Sequence, residues 1–431
     1  MTVDEFVAYL PTQAFIHLPT MEPWIVAARI DAQVPPIAVD DGEGGTQNQS
    51  ASKWMERHRG VQSITWMPGE PELIKDVMIT ADGPIRKKGS MTLNRYRAPT
   101  IAYEQGDVTP WLDLLDRAYP DDANHILACL AHRVQRPGDK INHALVLGGE
   151  QGIGKDTILE PVVSAIGVGN FAEIAPDELM SPWTHFARSV ILRINEVHDL
   201  GETNRFTFYD RSKRYCVAPP STLKVNEKHL RQYYVQNVCF PIMTTNHMTD
   251  GMYLPANDRR HYVAWSKLKT VDIPAGYFKR LYSWYENGGD AIVADYLANL
   301  DLDAMGFDPK AAPVKTEAFW AIVGASAVPE DAEMADALTA VENPAAVTLS
   351  MLSKAAHDAR NYEFGRWLQD RGNSRRVPHR LESCGYTATR NHGATNGLWT
   401  VNGKKQVIYT RSELTPQQRQ KAAENLANTG A

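Results

Sequence analysis

Cysteine is scarce in this sequence. Four cysteines occur among 431 residues, and none of them lie at C-x-x-C spacing. The sequence has 13 histidines, but we see no group of them close to the cysteines along the chain. It therefore predicts neither a zinc site nor a disulfide framework. The four thiols are expected to be small buried side chains of a protein in a reducing compartment.

Long apolar runs are missing as well. No run approaches the roughly 18 residues that a membrane-spanning helix requires. The first residues include acidic side chains and lack the basic n-region of a secretory signal. Hydrophobic residues make up 43% and charged residues 22% of the chain, as is typical of globular proteins. We therefore expect a cytoplasmic protein with no membrane partner.

A general excess of positive charge, which would favour a nucleic-acid partner, is also absent. The formal net charge is −6, but the charge is distributed unevenly. Segment 354–411 holds 11 basic and 4 acidic residues, a balance of +7, whereas segment 324–347 holds five acidic residues and no basic one. This segregation predicts a basic, DNA-facing module on a neutral or acidic core.

Strands and helices are expected to alternate between residues 143 and 267, which is the pattern of an α/β core. Within it, the apolar strand 144–147 precedes a glycine-rich loop and then a helical run. Glycines let backbone N–H groups close around phosphates at a helix N-terminus, and the loop lysine binds the β- and γ-phosphates. The predicted nucleotide-binding residues are Gly149, Glu150, Gln151, Gly152, Ile153, Gly154, Lys155, Asp156 and Thr157.

The expected magnesium ligands depart from the usual P-loop pattern. Ser or Thr usually follows the lysine, but here Asp156 follows it and Thr157 comes next. The apolar run 189–194 then ends in Asn195 and Glu196, so an amide stands where a metal-associated aspartate is common. We predict that Asp156, Thr157 and Asn195 hold Mg²⁺, with Asp156 supplying the charge that the amide lacks. Glu196 is predicted to polarise the attacking water; the alternative for this run is a buried strand with a polar cap.

Two further polar positions follow in order. The apolar run FPIMTT precedes Asn246, whose amide can orient the attacking water against the γ-phosphate. Shortly before the next strand stand Arg259 and Arg260, either of which can act on a neighbouring subunit as an arginine finger. The alternative for these arginines is a surface salt bridge with Asp258.

A basic stretch lies between the strands that end in Glu196 and Asn246. Residues 223–231, LKVNEKHLR, are predicted to form a hairpin that projects into a central pore. There Lys224, Lys228 and Arg231 would grip phosphates without reading the sequence of the nucleic acid. A solvated charged loop is the alternative.

The C-terminal region predicts a winged helix, with an ordinary small α+β domain as the alternative. The expected elements are three helices and a hairpin, at 350–360, 364–372, 374–382, 398–401 and 404–410. Ser374 is the expected N-cap of the third helix, and Pro378 falls in its first turn. Asn402-Gly403 favours a two-residue type I′ turn. The predicted DNA-contacting residues are Arg375, Arg376 and Arg380 on the third helix, beside His379, and Lys404 and Lys405 on the wing.

These motifs, in this order, resemble the superfamily 3 helicases, and most closely the helicase half of phage and mobile-element primase-helicase proteins. The resemblance is carried by GGEQGIGKDT at 148–157, RINEV at 193–197, KVNEK at 224–228, TTNH at 244–247 and NDRR at 257–260. GKDT and NE differ from general P-loops but agree with this family's own pattern. The similarity covers residues 90–320 best.

The resemblance implies an AAA+ ATPase that uses ATP and Mg²⁺, assembles as a homo-hexameric ring and moves along single-stranded or forked DNA. It implies that Lys155 binds phosphate, that Glu196 activates water and that Asn246 senses the γ-phosphate. Arg259 or Arg260 would act across the subunit interface, and Lys228 would contact DNA in the pore. A separate primase or replisome protein is a further implied partner, and a phage-encoded chain would work in the host bacterial cytoplasm.

The predicted fold class is α/β, a P-loop AAA+ core with additions at both ends. The predicted domains are a small mixed N-terminal region at 1–105, the helicase core at 106–322, a linker at 323–347, the winged helix at 348–412 and a C-terminal helix or tail at 413–431. A weak helix is the alternative to a linker for the acidic, alanine-rich segment. The N-terminal region is short for a primase, so we expect a helicase without primase activity. The main alternative is an origin or operator binder that uses ATP for assembly. A nucleotide switch without DNA work and a packaging motor are less favoured, because of the basic C-terminal module and because no acidic cluster supports a nuclease.

Overall fold

The computed structural model describes residues 1–40, 42, 45–197, 201–228, 230–248, 252–325 and 329–429. Across these residues the fold is mixed α/β with a parallel sheet. Among the described helices, none combines the length and the apolar character needed to cross a membrane. The chain divides into two compact units, and the predicted N-terminal region belongs to the same unit as the glycine-rich segment 149–154, the predicted phosphate loop. The first unit comprises 1–196, 212–244 and 265–313, and the second comprises 197–211, 245–264 and 314–431.

The N-terminal part of the first unit is built from short strands and two helices. Its strands are β1 (Phe6–Tyr9), β2 (Ala14–His17), β3 (Glu22–Trp24), β4 (Ile37–Asp40), β5 (Thr46–Gln49), β6 (Gly60–Val61), β7 (Ser63–Thr65), β8 (Leu73–Thr80) and β9 (Gly83–Asn94), and its helices are α1 (Ala27–Gln33) and α2 (Ala51–His58). One sheet has the order β3-β2-β1-β6, and a second has the order β7-β9-β8. The apolar side chains of Phe6, Phe15, Trp24, Ile30 and Met55 pack together into a core under the first sheet.

The central part of the chain alternates helices and strands. Its elements are α3 (Thr109–Ala118), α4 (Ala123–Gln135), β10 (Ala144–Gly148), α5 (Lys155–Ile166), β11 (Phe171–Ile174), β12 (Ile191–Ile194), α6 (Gly201–Cys216), β13 (Thr222–Val225), β14 (Tyr233–Gln236), β15 (Phe240–Thr245), β16 (His261–Trp265), α7 (Tyr277–Trp284) and α8 (Asp290–Asn299). In the first unit, β11, β12, β15 and β10 lie side by side in that order. β12 is parallel to both β11 and β15.

Burial explains why this sheet reads as apolar runs in the sequence. Every residue of β10 and of β15 is buried, as expected for strands that are covered on both faces. In the parallel register Ile194 is the partner of Met243, so the residues that follow them lie side by side at the carboxyl ends of β12 and β15. Ligand sites in parallel sheets form at these carboxyl ends.

The C-terminal part of the second unit contains the helices and hairpin that the sequence predicts. Its elements are α9 (Glu317–Ala325), α10 (Pro329–Ala340), β17 (Ala346–Thr348), α11 (Leu349–Asp358), α12 (Tyr362–Gln369), α13 (Val377–Ser383), β18 (Tyr386–Thr389), β19 (Trp399–Val401), β20 (Lys404–Gln406), β21 (Ile408–Arg411) and α14 (Pro416–Thr429). β19 and β20 pair antiparallel across Asn402 and Gly403, which have φ of 50° and 71°. Positive φ at both residues is what a type I′ turn requires, so the predicted hairpin is confirmed.

The structure decides one alternative for this region and corrects one expectation. Segment 323–347, for which the sequence allows a linker or a weak helix, contains α10, whose Met334 and Leu338 are buried in one core with Leu352 and Phe364. The apolar face of α10 is hard to recognise in the sequence, because acidic residues and alanines surround its few large apolar side chains. The third predicted helix begins at Val377 and not near Ser374, because residues 371–373 form a separate 3-10 turn. Pro378 does lie in the first turn of α13, where its missing N–H costs no helical hydrogen bond.

Candidate functional site

The predicted phosphate loop, residues 149–154, joins β10 to α5. Gly149, Gly152 and Gly154 have φ of 142°, 83° and 96°, a region that residues with side chains rarely adopt. A Cβ on Gly154 would lie 2.9 Å from Cε1 of Phe278 and 3.0 Å from Cδ1 of Leu114, so a side chain would not fit there. The loop is therefore compact and ends at the N-terminus of α5, where the helix dipole favours an anion.

Side-chain contacts hold the outer part of the loop. The backbone N–H of Thr270 donates to the Glu150 carboxylate at 2.9 Å, and the Thr270 hydroxyl donates to the carbonyl of Gln151 at 2.8 Å. Ile153 is fully buried and anchors the loop from within. Glu150, Gln151 and Ile153 are among the predicted nucleotide-binding residues. In the structure, the side chains of Glu150 and Ile153 help to shape the loop.

Lys155 is the first residue of α5 and is only 9% exposed. Its Nζ donates to the carbonyl oxygens of Gly149 and Glu150, both at 2.9 Å. Burial lowers the pKa of Lys155, and the charges of Asp156 and Glu196 oppose that shift. The ammonium group thus lies against two carbonyl oxygens of the loop.

Asp156 takes part in an ion pair that the sequence analysis missed. Its Oδ1 accepts a hydrogen bond from Nη1 of Arg193 at 3.0 Å, and Nη2 of Arg193 lies 2.7 Å from a carboxylate oxygen of Glu173. Arg193 is on β12 and its side chain is 13% exposed, whereas that of Asp156 is 64% exposed. Arg193 therefore joins two carboxylates from α5 and β11 to the strand that carries Asn195 and Glu196.

The other predicted magnesium ligands are also engaged within the protein. The hydroxyl of Thr157 lies 2.9 Å from the hydroxyl of Tyr282 on α7. Oδ1 of Asn195 accepts from the hydroxyl of Thr244 at 2.9 Å, and its Nδ2 donates to Glu173 at 3.3 Å. Asn195 and Thr244 thus tie together the carboxyl ends of β12 and β15.

Glu196 stands at the carboxyl end of β12 with an unusual backbone. Its φ is 51°, in the left-handed region that costs a residue with a side chain roughly 1–3 kcal/mol. Its backbone N–H donates to the hydroxyl of Thr244 at 3.3 Å, and the residue as a whole is exposed. Strained residues of this kind concentrate at functional sites, where the surrounding structure holds a side chain in a required position.

The remaining predicted catalytic residues belong to the second unit. Asn246 directly follows β15 and is half-buried, Arg259 is exposed and Arg260 is half-buried. The Asp258 carboxylate accepts from the backbone N–H groups of Arg260 at 2.8 Å and of His261 at 3.0 Å.

The same carboxylate also accepts from the Tyr209 hydroxyl at 2.7 Å. Burial alone would raise the pKa of Asp258, but the His261 ring and the hydrogen bonds to this carboxylate lower it far below its usual value. These contacts of Asp258 fix the turn that presents Arg259.

The predicted basic hairpin is present. β13 and β14 pair antiparallel, and Lys224, Lys228 and Arg231 are exposed on or near the loop that joins them. Glu227, in the same loop, is bound by Arg95 at 2.6 Å and Arg188 at 3.3 Å.

The hydroxyl of Tyr233 also donates to Glu227, at 3.0 Å. Burial by itself would raise the pKa of Glu227, but Arg95 and Arg188 bring it below its usual value. The hairpin loop therefore has an anchored carboxylate beside exposed cations.

The predicted DNA-contacting residues of the C-terminal region differ in their exposure to solvent. Arg375, Lys404 and Lys405 are exposed, and Arg376 is half-buried. Arg380 is 1% exposed, and its Nη1 lies 3.0 Å from the carboxylate of Asp331 on α10. Arg380 thus forms a buried ion pair with Asp331 and does not belong to the exposed basic surface.

His379, next to Arg380, is buried as well. Its ring stacks on Phe206 at 5.0 Å between centroids, and its Nε2 lies 3.3 Å from a carboxylate oxygen of Asp210. Burial by itself would lower the pKa of His379, but the carboxylates of Asp210 and Glu382 outweigh burial and raise the pKa to about 9. Of the predicted DNA-contacting residues, the exposed ones are therefore Arg375 before α13 and the Lys404–Lys405 pair of the hairpin.

Comparison with protein families and curated sequences gives a local match. A family profile described as "Family of unknown function (DUF5906)" matches residues 147–260. This span runs from the phosphate loop to Arg260 and is less than half of the chain. Among curated proteins, no sequence matches the chain.

Solved structures share the fold. The apo structure of the C-terminal region of NrS-1 matches with a TM-score of 0.58 at 14% identity, covering 94% of this chain and 95% of that one. An A-form apo structure of the same region matches with a TM-score of 0.53 at 13% identity, covering 89% and 84%. The X-ray structure of JCV helicase reaches a TM-score of 0.28 at 13% identity over 55% of this chain and 66% of its own, which is too low to establish a common fold.

Proposed function

We propose that this chain is an ATP-hydrolysing DNA helicase of the superfamily 3 type, which moves along single-stranded DNA as a ring. One observation carries the proposal. The glycine loop leads into α5 with Lys155 as its first residue, Arg193 of β12 pairs with Asp156 of α5 at 3.0 Å, and Glu196 stands at the carboxyl end of β12. A lysine that binds phosphates and a residue that positions the attacking water are two of the recurring parts of enzymes that hydrolyse a bound triphosphate.

The loop fits the phosphates of ATP, with Lys155 and the N-terminus of α5 as their partners. Bound magnesium would neutralise charge on those phosphates. It commonly keeps several waters and takes only one or two protein carboxylates. Because Asp156, Thr157 and Asn195 all have protein partners, we propose that Asp156 and Asn195 orient magnesium-bound water and that Thr157 fixes α5 to α7. Glu196 would accept the proton of the attacking water.

The DNA-facing part of the proposal rests on exposed cations. The β13–β14 hairpin presents Lys224, Lys228 and Arg231, and the C-terminal region presents Arg375 and the Lys404–Lys405 pair. Contacts of Lys and Arg with phosphates give sequence-independent binding, which a translocating motor needs. A homo-hexamer with Arg259 acting on the neighbouring subunit completes the proposal.

A helicase and an ATP-dependent DNA binder can be distinguished with forked DNA. The full chain is expected to hydrolyse ATP faster when single-stranded DNA is added and to separate the strands of a fork in the presence of ATP and Mg²⁺. The measurement is strand displacement followed by fluorescence, with ATP hydrolysis recorded on the same samples. ATP-dependent binding to the fork without strand displacement would contradict the helicase proposal and favour the initiator.

Arg193 provides a second test, because its charge offsets that of Asp156 next to the phosphates. Replacing Arg193 by Ala removes the charge partner of both Asp156 and Glu173. Asp156, in the first turn of α5, should then repel the triphosphate by roughly 1–2 kcal/mol, which weakens ATP binding about tenfold. Asp156→Ser in the Arg193→Ala background should restore binding to within about threefold. Calorimetric titration of the four proteins of this double-mutant cycle measures the coupling.

Arg117→Ala is the matched control for this cycle, because it removes an arginine from an exposed pair with Asp113 on α3. Its ATP affinity should be unchanged. The proposal for Arg193 fails if the double variant binds ATP as weakly as Arg193→Ala alone. A large rise in the Mg²⁺ concentration needed by Asp156→Ser would instead support direct ligation of the metal by Asp156.

A further inference from the structure

Three potential metal ligands meet between α4 and β10, apart from the phosphate loop. His125 and Cys129 are four residues apart in α4 and so lie on the same face of the helix, and His143 directly precedes β10. Nε2 of His125 lies 3.0 Å from Nε2 of His143. Sγ of Cys129 lies 3.6 Å from the first nitrogen and 3.7 Å from the second.

These distances match the separations between ligands in a tetrahedral zinc site. Zinc–nitrogen bonds of about 2.0–2.1 Å and a zinc–sulfur bond of about 2.3 Å at tetrahedral angles place two nitrogens about 3.3 Å apart and a nitrogen and a sulfur about 3.6 Å apart. Both sulfur–nitrogen distances agree with this geometry, and the nitrogen–nitrogen distance is slightly shorter. One ion can therefore contact all three atoms with a small movement of the imidazoles.

The three side chains are largely shielded from solvent, and aromatic rings lie beside both histidines. Cys129 and His143 are buried and His125 is half-buried. The ring of Phe240 lies edge-on to His143 and that of Phe307 edge-on to His125. A hydrophobic shell of this kind limits solvent access to a metal, while the partial exposure of His125 leaves a path for entry and for one water ligand.

We propose that His125, Cys129 and His143 bind one divalent transition-metal ion of the zinc class, with water as the fourth ligand. Two imidazoles and one thiolate favour zinc over the hard cations magnesium and calcium, which prefer oxygen. The ion would tie α4 to the start of β10, the strand that ends at the phosphate loop. The expectation that no histidines cluster around the cysteines is wrong for Cys129, because the fold brings His143 to it from 14 residues away.

Cobalt(II) tests the site in the full chain, because it occupies zinc sites and reports on its ligands spectroscopically. The wild type is expected to bind about one Co²⁺ per chain with a sulfur-to-cobalt charge-transfer band and the intense visible bands of tetrahedral coordination, and Zn²⁺ should displace it. Cys129→Ser should lose the charge-transfer band. His125→Ala and His143→Ala should weaken binding by more than about 100-fold, since loss of a mere supporting residue already costs 10–100-fold.

Controls separate loss of the site from loss of the fold. Cys384→Ser and His58→Ala alter residues far along the chain from the three ligands and should keep both the cobalt bands and the stoichiometry. Circular dichroism of each variant without metal should match that of the wild type. Zn²⁺ should raise the melting temperature of the wild type and of the two control variants, but not that of variants that lack one of the three ligands. Absence of stoichiometric Co²⁺ binding by the wild type, or a charge-transfer band that survives Cys129→Ser, would overturn the proposal and leave a hydrogen-bonded cluster.

Discussion

Replacing Glu196 by Gln is expected to slow ATP hydrolysis by about 10²- to 10⁴-fold, because an amide cannot accept the proton of the attacking water. ATP affinity should change by less than about threefold, since the phosphates are bound by Lys155 and the loop. The left-handed backbone of Glu196 and its hydrogen bond to Thr244 are independent of the side-chain charge, so the fold should be retained. Single-turnover hydrolysis and equilibrium binding of a fluorescent ATP analogue measure the two effects separately.

Lys155→Ala is the comparison that makes this result informative. It removes the ammonium that lies over the loop, so both ATP binding and hydrolysis should be lost. Glu196→Gln should therefore trap bound ATP, while Lys155→Ala should bind little. If Glu196→Gln hydrolysed ATP at the wild-type rate, another group would accept the proton of the attacking water, and the role proposed for Glu196 would be wrong.

Lys228→Ala is expected to reduce unwinding of forked DNA by more than about tenfold while leaving hydrolysis without DNA unchanged. Lys228 is exposed in the β13–β14 loop, next to the anchored Glu227, so the loss of its charge removes a phosphate contact without disturbing the hairpin. For single-stranded DNA, each lost contact should lower the slope of log affinity against log salt concentration by about 0.7. Titration of labelled single strands at several salt concentrations gives this slope.

Lys53→Ala is the matched control, because Lys53 is an exposed lysine of α2 in the N-terminal region. It should leave the salt slope and the unwinding rate unchanged. Equal effects of the two substitutions would mean that DNA responds to the overall charge of the protein. Normal unwinding by Lys228→Ala would show that the hairpin is a solvated loop, the alternative that the sequence left open.

The local features of the fold could be predicted from the sequence because each has a short-range cause. Asn402-Gly403 fixes the C-terminal hairpin, and the apolar runs before Asn195 and Asn246 form parallel strands. In these cases steric limits or alternating burial act over a few neighbouring residues. The glycine loop was found for the same reason, since its backbone angles depend on the glycines themselves.

The missed features depend on residues that are distant in the sequence. Arg193 pairs with Asp156 from 37 residues away, and Arg380 pairs with Asp331 from 49 residues away. The sequence showed a basic run around Arg380 but not that one of its members faces inward. A partial signal for Arg193 existed, because a charged residue inside an apolar strand needs a compensating partner.

The helix α10 determines where the chain can be divided. A fragment that begins at residue 348 would omit Met334 and Leu338 and expose the apolar surface of Leu352 and Phe364, which favours self-association. It would also take the Asp331 carboxylate away from Arg380, and breaking a buried pair typically costs about 3–5 kcal/mol. An autonomously folding C-terminal fragment therefore has to include α10. A fragment that begins at residue 348 would be unsuitable for testing the proposed DNA contacts of this region.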